Sequence, residues 1–263
     1  MKRINLVLPS AGMGSRFRAV GESRPKPLIP VLDIPMIMWV LLNFPLSPSD
    51  KVIVVSQIQD RLPIILEAFS KQLPFDIKFI ELNGLTEGPA STVSLAFDEI
   101  DDDEALIVAN TDQYVFADLK PFLQKVRNAS SDGQILTMKA SSNAWSYVGR
   151  DSSGNISEIV EKVEISSEAT VGIYGWSKAS FAKLSFRNSF DENIRTNNEF
   201  YVAPTYNFMI KQGYKIETIM IGEHGKAVHG LGIPSDLNSF IGNERAKRIS
   251  LKYKSQFKIK DDE

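Results

Sequence analysis

The chain contains no cysteine and only two histidines, His224 and His229, among its 263 residues. The absence of cysteine excludes disulfide bonds, thiolate zinc sites and a cysteine nucleophile. Two histidines are too few for a histidine-rich metal site. No run of about 18 apolar residues occurs, so the sequence offers no candidate for a membrane-spanning helix.

A strong excess of charge of either sign is also missing. The net charge is -2, with 43% apolar and 24% charged residues, which is typical of an ordinary globular protein and indicates neither a nucleic-acid-binding nor a membrane-binding surface. The apolar stretch in "MKRINLVLPSAG" is too short for a signal peptide. We therefore expect a cytoplasmic protein whose residues 1–263 form one domain.

Short apolar runs alternate with segments of helical periodicity in the first half of the chain. Strands are predicted at 4–9, 51–57 and 105–112, and helices at 35–44, 61–73 and 88–100. This order predicts an α/β fold with a Rossmann-like, mainly parallel sheet flanked by helices. The second half favours a smaller, strand-rich part, with strands at 134–141, 156–163, 169–176 and 215–221. Residues 243–263 have the pattern of a terminal helix with a frayed tail.

The first strand runs into the most informative segment, "LPSAGMGSRFRAVGESRPKPLIPV" at residues 8–31. Glycines at this edge of an α/β sheet let the backbone approach a ligand and expose N–H groups to anions. Arginine suits bidentate phosphate recognition, lysine acts as a point charge, and Pro25, Pro27 and Pro30 stiffen the second half of the segment. The residues alone leave a solvated basic loop as the alternative.

The two-part motif "AGMGSRF" and "PKPLIPV" resembles the signature of the sugar-phosphate nucleotidyltransferases, the family of NDP-sugar pyrophosphorylases. The resemblance extends to about residue 242. It is closest to a branch associated with bacterial capsule and surface-polysaccharide biosynthesis, through "NTDQYV", "SYVGRDSSGNISEIVEK", "ATVGIYGW" and "NEFYVAPTYN". It implies a GT-A-like fold in which residues 1–115 mainly bind nucleotide, 116–242 mainly bind the acceptor, and 243–263 form a C-terminal helix and tail.

The resemblance also implies a reaction and the residues that perform it. A phosphorylated acceptor attacks the α-phosphorus of a nucleoside triphosphate, and pyrophosphate leaves. The backbone of Ser10, Ala11 and Gly12 would contact the base and ribose, while Gly14, Ser15 and Arg16 would hold the β- and γ-phosphates. Arg16 would stabilise the leaving pyrophosphate and Lys26 the α-phosphate, which makes Arg18 and Arg24 secondary. Asn83 and the backbone of Gly88 would read the base, although "NG" is also an ordinary turn signal.

Asp112 follows a predicted central strand in "IVANTDQYV". A carboxylate near three phosphates is expected to hold Mg²⁺, which takes few protein ligands and keeps waters. The alternative is an aspartate that caps a helix. We predict Arg16, Lys26 and Asp112 as the catalytic residues, with Asp112 as the metal ligand and Asn110 and Gln113 beside it.

On the acceptor side, the resemblance implies that Lys162 binds the acceptor's phosphate and Glu161 a sugar hydroxyl. Gly172 would let the acceptor approach the backbone, or else would mark a bulge. Glu199, with Asn198 and Tyr201, would line the same pocket, whereas Phe200 and Tyr206 are expected in the core. A plain alternative for Glu161 is a surface carboxylate on a strand.

The sequence departs from the family pattern at one position. Relatives carry Asp-x-Gly-Thr-Pro, whose aspartate is a second metal ligand, whereas this chain has "HGLGIPSDL" with Gly230 at that place. Three explanations stay open: Asp112 suffices with substrate oxygens, another acid such as Glu199 substitutes, or catalysis is impaired. The neighbouring His229 is interpreted as structural.

These observations favour an enzyme that joins a nucleoside monophosphate to a phosphorylated sugar or similar small metabolite. A pyrimidine triphosphate is expected, with CTP ahead of UTP and dTTP. The acceptor is expected to be a sugar 1-phosphate, or else a phosphorylated polyol, choline-like or amino-acid-derived group. The alternatives are a non-catalytic nucleotide sensor and a glycosyltransferase, but "NTDQ" lacks the Asp-x-Asp that the latter would use. A homodimer is possible, since relatives often pair.

Overall fold

A computed structural model describes residues 2–259. The strands of this part of the chain, in order, are β1 Ile4–Ser10, β2 Pro30–Val31, β3 Ile34–Pro35, β4 Lys51–Gln57, β5 Asp76–Leu82, β6 Ala105–Ala109, β7 Gln113–Val115, β8 Gly133–Lys139, β9 Ser146–Arg150, β10 Ile156–Glu161, β11 Glu168–Trp176, β12 Ile216–Glu223 and β13 Val228–Gly230.

Helices connect and cover these strands. They are α1 Ser15–Arg18, α2 Met36–Leu42, α3 Leu62–Ser70, α4 Pro89–Ser94, α5 Lys120–Arg127, α6 Ala179–Asp191, α7 Tyr206–Lys211, α8 Pro234–Ile241 and α9 Glu244–Phe257. None of the described helices is both long and apolar enough to cross a membrane. The predicted tail at 260–263 lies outside the described residues.

Nine strands form one sheet, in which β5, β4, β1 and β6 are parallel neighbours. Strand β11 pairs with β6 in the antiparallel sense through its second half, and with β9, which carries β10, near its start. Strand β8 pairs along the opposite edge of β11 and carries β12 in the parallel sense. The parallel part confirms the predicted α/β class, and the later strands extend it as a mixed sheet. Because parallel strands end at one edge, the segments after β1, β4, β5 and β6 meet there.

The central strands are buried on both faces. Leu6 and Leu8 face a core formed with helices α2, α5, α8 and α9, whereas Val7 faces a second core formed with α4, α6 and α7. Alternate residues of a strand point to opposite faces, so burial of both faces requires a continuous apolar run. This explains why β1, β4 and β6 are recognisable in the sequence.

A small ribbon lies at the carboxyl edge of the sheet. Strand β7 pairs with β13, which sets Gly230 opposite Gln113, and the Leu231 N–H donates to the Asp112 carbonyl at 2.7 Å. Two segments that are more than 110 residues apart in sequence are thereby fixed side by side. The ribbon brings Gly230 close to Asp112.

Several elements differ from the prediction. Helix α4 is shorter than the predicted 88–100, because a 3₁₀ turn at Phe97–Glu99 replaces its second half. Residues 197–205 contain a 3₁₀ turn at Ala203–Thr205, and the expected burial of Phe200 and Tyr206 is confirmed. The predictions did not include β5, β9, α5 or α6.

Candidate active site

Two cavities meet at the carboxyl edge of the sheet. The first has a volume of about 460 Å³ and is lined by the loop after β1, by the segment before α4 and by Lys26. The second, of about 310 Å³, lies toward the antiparallel strands and is lined by Glu161, Lys162 and Gly172. Pro89, Asn110 and Asp112 line both cavities. The boundary between the cavities therefore runs across the end of strand β6.

The loop after β1 forms one wall of the first cavity. Ser10, Ala11, Gly12 and Ser15 line it, and the buried Ser10 hydroxyl has no hydrogen-bond partner in the described part of the chain. Gly14 adopts a φ of +62°, and a Cβ added there would lie 3.1 Å from the Lys26 Cβ. The two halves of the sequence motif therefore touch, which explains why a glycine precedes the first basic residue.

Lys26 and Asp112 form an ion pair at the boundary between the cavities. Their side chains keep 22% and 26% of their surface exposed, so both remain accessible to a ligand. Lys26 lies in a 3₁₀ turn at Lys26–Leu28 that proline introduces, which fixes its backbone. The pair places one fixed cation and one carboxylate where the two cavities join.

The three arginines of the loop have different surroundings. Arg16 is exposed on the short helix α1 and lines the second cavity. Arg18 Nε donates to the Met13 carbonyl at 3.0 Å. Arg24 makes two hydrogen bonds to Glu22, at 2.8 and 2.7 Å, and these lower the pKa of Glu22 to about 2. Of the three, Arg16 is the one that lines a cavity.

A glutamine that the sequence analysis did not single out holds the far side of the first cavity. The buried Gln57 amide donates to the Ala11 carbonyl at 3.0 Å and to the Gly84 carbonyl at 2.7 Å. It thereby ties the loop after β1 to the loop after β5. The signal for it was its position at the end of "KVIVVSQ", where a buried strand reaches the ligand edge.

Asn83, the predicted base-reading residue, lies outside the two cavities. Its side chain is exposed, and the described residues that line the cavities include Leu85 and Thr86 but not Asn83. Gln57 hydrogen-bonds the neighbouring Gly84 through both its amide oxygen and its amide nitrogen, which holds the Asn-Gly pair on the outside of the loop. This placement favours the turn that was the alternative.

Gly88 lies at the base of the first cavity in a conformation that favours glycine, with a φ of +127°. A Cβ at this position would lie 2.6 Å from the backbone nitrogen and oxygen of Phe200. The neighbouring Phe200 N–H donates to the Glu87 carbonyl at 2.8 Å. Glycine is needed here for close packing of two loops, and the segment 199–201 is thereby held against both cavities.

Three polar side chains form a hydrogen-bonded chain that runs from the second cavity to the first. Lys162 contacts the Tyr201 hydroxyl, and its ammonium also lies 4.3 Å from the centre of the Tyr201 ring. The Tyr201 hydroxyl donates to Glu199 at 2.5 Å. Burial and the Glu199 carboxylate raise the pKa of Tyr201, so the phenol stays a hydrogen-bond donor. Glu199 itself lines the first cavity, and the exposed Asn198 lines neither.

Glu161 is a buried carboxylate in the second cavity and is only 8% exposed. The surface alternative considered for it is therefore wrong. Its carboxylate accepts a hydrogen bond from Ser146 across the β9–β10 pair. Burial raises the pKa of Glu161 above its usual range, the Glu199 charge adds to the rise, and the Ser146 hydroxyl and Lys162 ammonium oppose it.

Gly172 lies at a bulge of β11, which was the alternative interpretation, and it also lines the second cavity. A Cβ there would lie 2.4 Å from Asn110 Nδ2 and from Gln113 Oε1. The buried Gln113 oxygen has no hydrogen-bond partner among residues 2–259. It is a free oxygen donor beside Asp112, in the cavity where a divalent cation would lie.

The residues fit a magnesium ion with few protein ligands. No group of three or more His, Asp or Glu side chains within residues 2–259 is arranged to hold a metal. Mg²⁺ commonly takes one or two carboxylates and completes its shell with substrate oxygens and waters. Asp112 meets this requirement. His229 does not take part, since it packs against Phe116 at 5.0 Å and is buried as expected.

A comparison with protein families decides the relationship. Residues 5–211 match the model of the Nucleotidyl transferase family. The chain belongs to this family. Two curated relatives are the bifunctional protein GlmU of Methanocaldococcus jannaschii, 28% identical over 180 residues, and the mannose-1-phosphate guanylyltransferase catalytic subunit beta of Dictyostelium discoideum, 27% identical over 182 residues. These matches cover 68% and 66% of this chain but only 41% and 49% of the relatives, so the chain spans less than half of their length.

Solved structures show the same fold as this nucleotidyl transferase family member. A nucleoside-diphosphate-sugar pyrophosphorylase of Vibrio cholerae RC9 superimposes with a TM-score of 0.73 at 23% identity, over 90% of this chain and 100% of that one. A Bacillus anthracis protein described as a glucose-1-phosphate thymidylyltransferase gives 0.69 at 17% identity, over 99% and 98%. At these identities the likeness establishes the fold.

Proposed function

We propose that this protein is a nucleotidyltransferase that transfers a nucleoside monophosphate from a triphosphate to a phosphorylated small molecule and releases pyrophosphate. The observation that carries the proposal is the meeting of two cavities at Asp112 and Lys26. A glycine-rich loop lines the first cavity, and Lys162, Arg16 and the buried Glu161 line the second. Two substrates bound in these cavities would have their phosphates at the shared boundary.

The proposed chemistry needs no covalent enzyme intermediate. An oxygen of the acceptor's phosphate attacks the α-phosphorus, and the bond from that phosphorus to the bridging oxygen of pyrophosphate breaks. The protein contributes orientation and fixed charge. Lys26 would offset charge on the α-phosphate, and Lys162 would hold the acceptor's phosphate next to the Tyr201 hydroxyl. Arg16 lines the second cavity and not the first, so it would stabilise the departing pyrophosphate from across the shared boundary.

Asp112 would hold Mg²⁺ at the boundary between the cavities. A bound magnesium ion supplies positive charge to phosphate oxygens during phosphoryl transfer. The unpartnered Gln113 oxygen and the ion pair of Asp112 with Lys26 support this assignment, because they place oxygen donors and a counter-charge at one point. Lys26 can exchange its carboxylate partner for a phosphate without moving to another part of the site.

The substrates we infer follow the family branch that the sequence resembles. A pyrimidine triphosphate, with CTP tested first, would occupy the first cavity, and a sugar 1-phosphate the second. A phosphorylated polyol, choline-like or amino-acid-derived acceptor is the alternative, because the second cavity combines cations with the carboxylate of Glu161. The product would serve capsule or surface-polysaccharide synthesis in the cytoplasm, and the protein would act as a monomer or homodimer.

Pyrophosphate release tests the proposal. The purified chain is incubated with Mg²⁺, each common triphosphate in turn, and a panel of sugar 1-phosphates and non-sugar phosphates. We expect release with one triphosphate and one acceptor class. Lys26→Ala and Asp112→Ala should each lower turnover by about 10²-fold or more, as expected when fixed charge at a transition state is lost.

Lys71→Ala is the matched control, since Lys71 is an exposed lysine directly after α3 that lines neither cavity. Its turnover should equal that of the wild type. Near-normal rates for the Lys26 and Asp112 variants would contradict their roles. Triphosphate binding without pyrophosphate release, across the whole panel, would instead favour the non-catalytic sensor that Gly230 first suggested.

A further inference from the structure

The glycine at position 230 has a carboxylate directly against it. A Cβ added to Gly230 would lie 2.8 Å from Oδ2 of Asp236. Asp236 belongs to the first turn of α8, six residues further along the chain. The space that a side chain at position 230 would enter is therefore already occupied by the oxygen of another acidic residue.

A second glycine of the same segment contacts the other carboxylate of the site. A Cβ on Gly232 would lie 2.4 Å from Oδ2 of Asp112. Gly230, Gly232, Asp112 and Asp236 all line the second cavity. The hydrogen bond from the Leu231 N–H to the Asp112 carbonyl, at 2.7 Å, fixes this segment between the two acids. Two carboxylates thus approach one short stretch of backbone that carries no side chain at either contact.

Asp236 is available to a ligand. Its hydrogen bond to a described residue is a long one, from the Ser235 hydroxyl to Oδ1 at 3.4 Å, and no ion pair within residues 2–259 involves it. The Oδ2 atom, which faces Gly230, accepts no hydrogen bond from these residues. In the same cavity, the buried Gln113 oxygen also has no partner. Carboxylate and amide oxygens form the donor set that Mg²⁺ prefers.

We infer that Asp236 supplies the second carboxylate of the metal site, in place of the aspartate that position 230 lacks. The inference rests on the proposed function in that it assigns a further ligand to the same site. Asp112 and Asp236 together match the number of carboxylates that Mg²⁺ ordinarily takes beside substrate oxygens. Glu199, the substitute considered from the sequence, lines the first cavity but not the second, where Asp112 and Asp236 meet, and its carboxylate already accepts a hydrogen bond from the Tyr201 hydroxyl.

Direct metal binding tests the inference without turnover. The full chain is titrated with Mn²⁺ alone, and free Mn²⁺ is followed by electron paramagnetic resonance. We expect Asp236→Asn and Asp112→Asn each to weaken Mn²⁺ binding by about tenfold or more, because affinity depends on the number of charged ligands. Asp118→Asn is the matched control, since it removes an exposed aspartate that precedes helix α5 away from both cavities.

A second experiment moves the carboxylate from position 236 back to position 230. Gly230→Asp alone should bind Mn²⁺ no better than wild type, because its side chain meets Asp236. Gly230→Asp combined with Asp236→Ala should bind Mn²⁺ more tightly than Asp236→Ala alone, since the carboxylate returns from position 236 to position 230. If Asp236→Asn does not fold, as judged by its melting curve, this comparison of the double and single variants decides the question.

Three results would overturn the inference: wild-type protein that binds no Mn²⁺, Asp236→Asn protein that binds it as wild type does, or a folded double variant that gains nothing over Asp236→Ala. These results are distinct from failure of the proposed function. Pyrophosphate release with normal Mn²⁺ binding by Asp236→Asn rejects only the role of Asp236. Asp236-dependent Mn²⁺ binding without any pyrophosphate release rejects only the catalytic proposal.

Discussion

At the scale of single residues, the buried carboxylate of Glu161 affects both the stability of the fold and the proposed acceptor site. Its carboxylate is buried and its pKa is raised, so the ionised form costs folding free energy at neutral pH. Glu161→Gln keeps the shape and removes the charge. We therefore expect this variant to melt at a higher temperature than wild type at pH 7. The gain should shrink as the pH falls toward about 4, the ordinary range of an unfolded glutamate, since the carboxyl is then neutral in both states.

The same substitution should impair the acceptor site. A hydrogen bond from the acceptor to the charged Glu161 carboxylate would strengthen acceptor binding. Loss of that charge should therefore raise the acceptor KM about tenfold. In wild type, protonation of Glu161 should raise the acceptor KM at low pH. This rise should be absent in Glu161→Gln, which has no carboxyl to protonate at this position. Glu158→Gln is the control, because Glu158 is an exposed carboxylate on the same strand, β10. A lower melting temperature for Glu161→Gln at pH 7 would show that its ionised form is stabilising.

At the scale of elements, one buried ion pair joins three parts of the fold. The Asp50 carboxylate accepts hydrogen bonds from the Ile4 N–H at 2.9 Å, the Ser47 N–H at 2.8 Å and Arg127 of helix α5 at 2.7 Å. Its side chain has no exposed surface, and that of Arg127 keeps 9%. Burial opposes ionisation of Asp50, but these donors outweigh it and lower its pKa.

We expect Asp50→Ala to lower the free energy of unfolding by about 3 kcal/mol, since it leaves the buried Arg127 guanidinium without a carboxylate partner. Urea denaturation at pH 7 measures this. Because the folded pKa of Asp50 is depressed, its stabilising contribution is present above the unfolded pKa and is lost as the pH falls through the folded value. The difference between variant and wild type should therefore narrow below about pH 4. Glu67→Ala, at an exposed pair on α3, should leave the midpoint unchanged.

The elements that could be predicted are those whose local sequence pattern reflects how their faces are buried. Strands β1, β4 and β6 are apolar on both faces because both faces are covered. Strand β5 was missed because it is an edge strand with alternately exposed residues, and "DIKFIEL" resembles a helix as much as a strand. Helix α6 was missed because serine, arginine and asparagine interrupt its apolar pattern.

Residues of the candidate site also fall into those that local motifs predict and those that only tertiary contacts reveal. The glycine loop, Lys26, Asp112 and Lys162 lie in local motifs, so their positions near one another could be expected from the sequence. Gln57 and Asp236 act through contacts that only the folded chain creates. Asn83 lay in the right loop, but its side chain is directed by the Gln57 clamp, which no local pattern reveals. Sequence motifs locate the loops, whereas tertiary contacts determine which side chain of each loop faces a substrate.

At the scale of the whole molecule, the last helix completes the core beneath the site. Tyr253 of α9 meets Trp39 of α2 edge-on at 5.2 Å, and its hydroxyl lies 3.3 Å from that of Tyr114 in β7. Trp39 also contacts Phe240 of α8 at 5.1 Å. The ribbon that sets Gly230 beside Asp112 thus packs on aromatic side chains from α2, α8 and α9. Helices α8 and α9 lie beyond residues 5–211, the region that the family model matches.

We therefore expect Tyr253→Ala to lower the free energy of unfolding by about 3 kcal/mol, the usual cost of removing a buried aromatic side chain. Leu251→Ala is the matched control, because Leu251 lies on the same helix with 59% of its surface exposed and should change the free energy little. Chemical denaturation of both variants measures the difference. Equal effects of the two substitutions would mean that α9 contributes only as a surface helix. A loss confined to Tyr253→Ala would mean that the fold depends on α9 to support the ribbon and, through it, the two carboxylates.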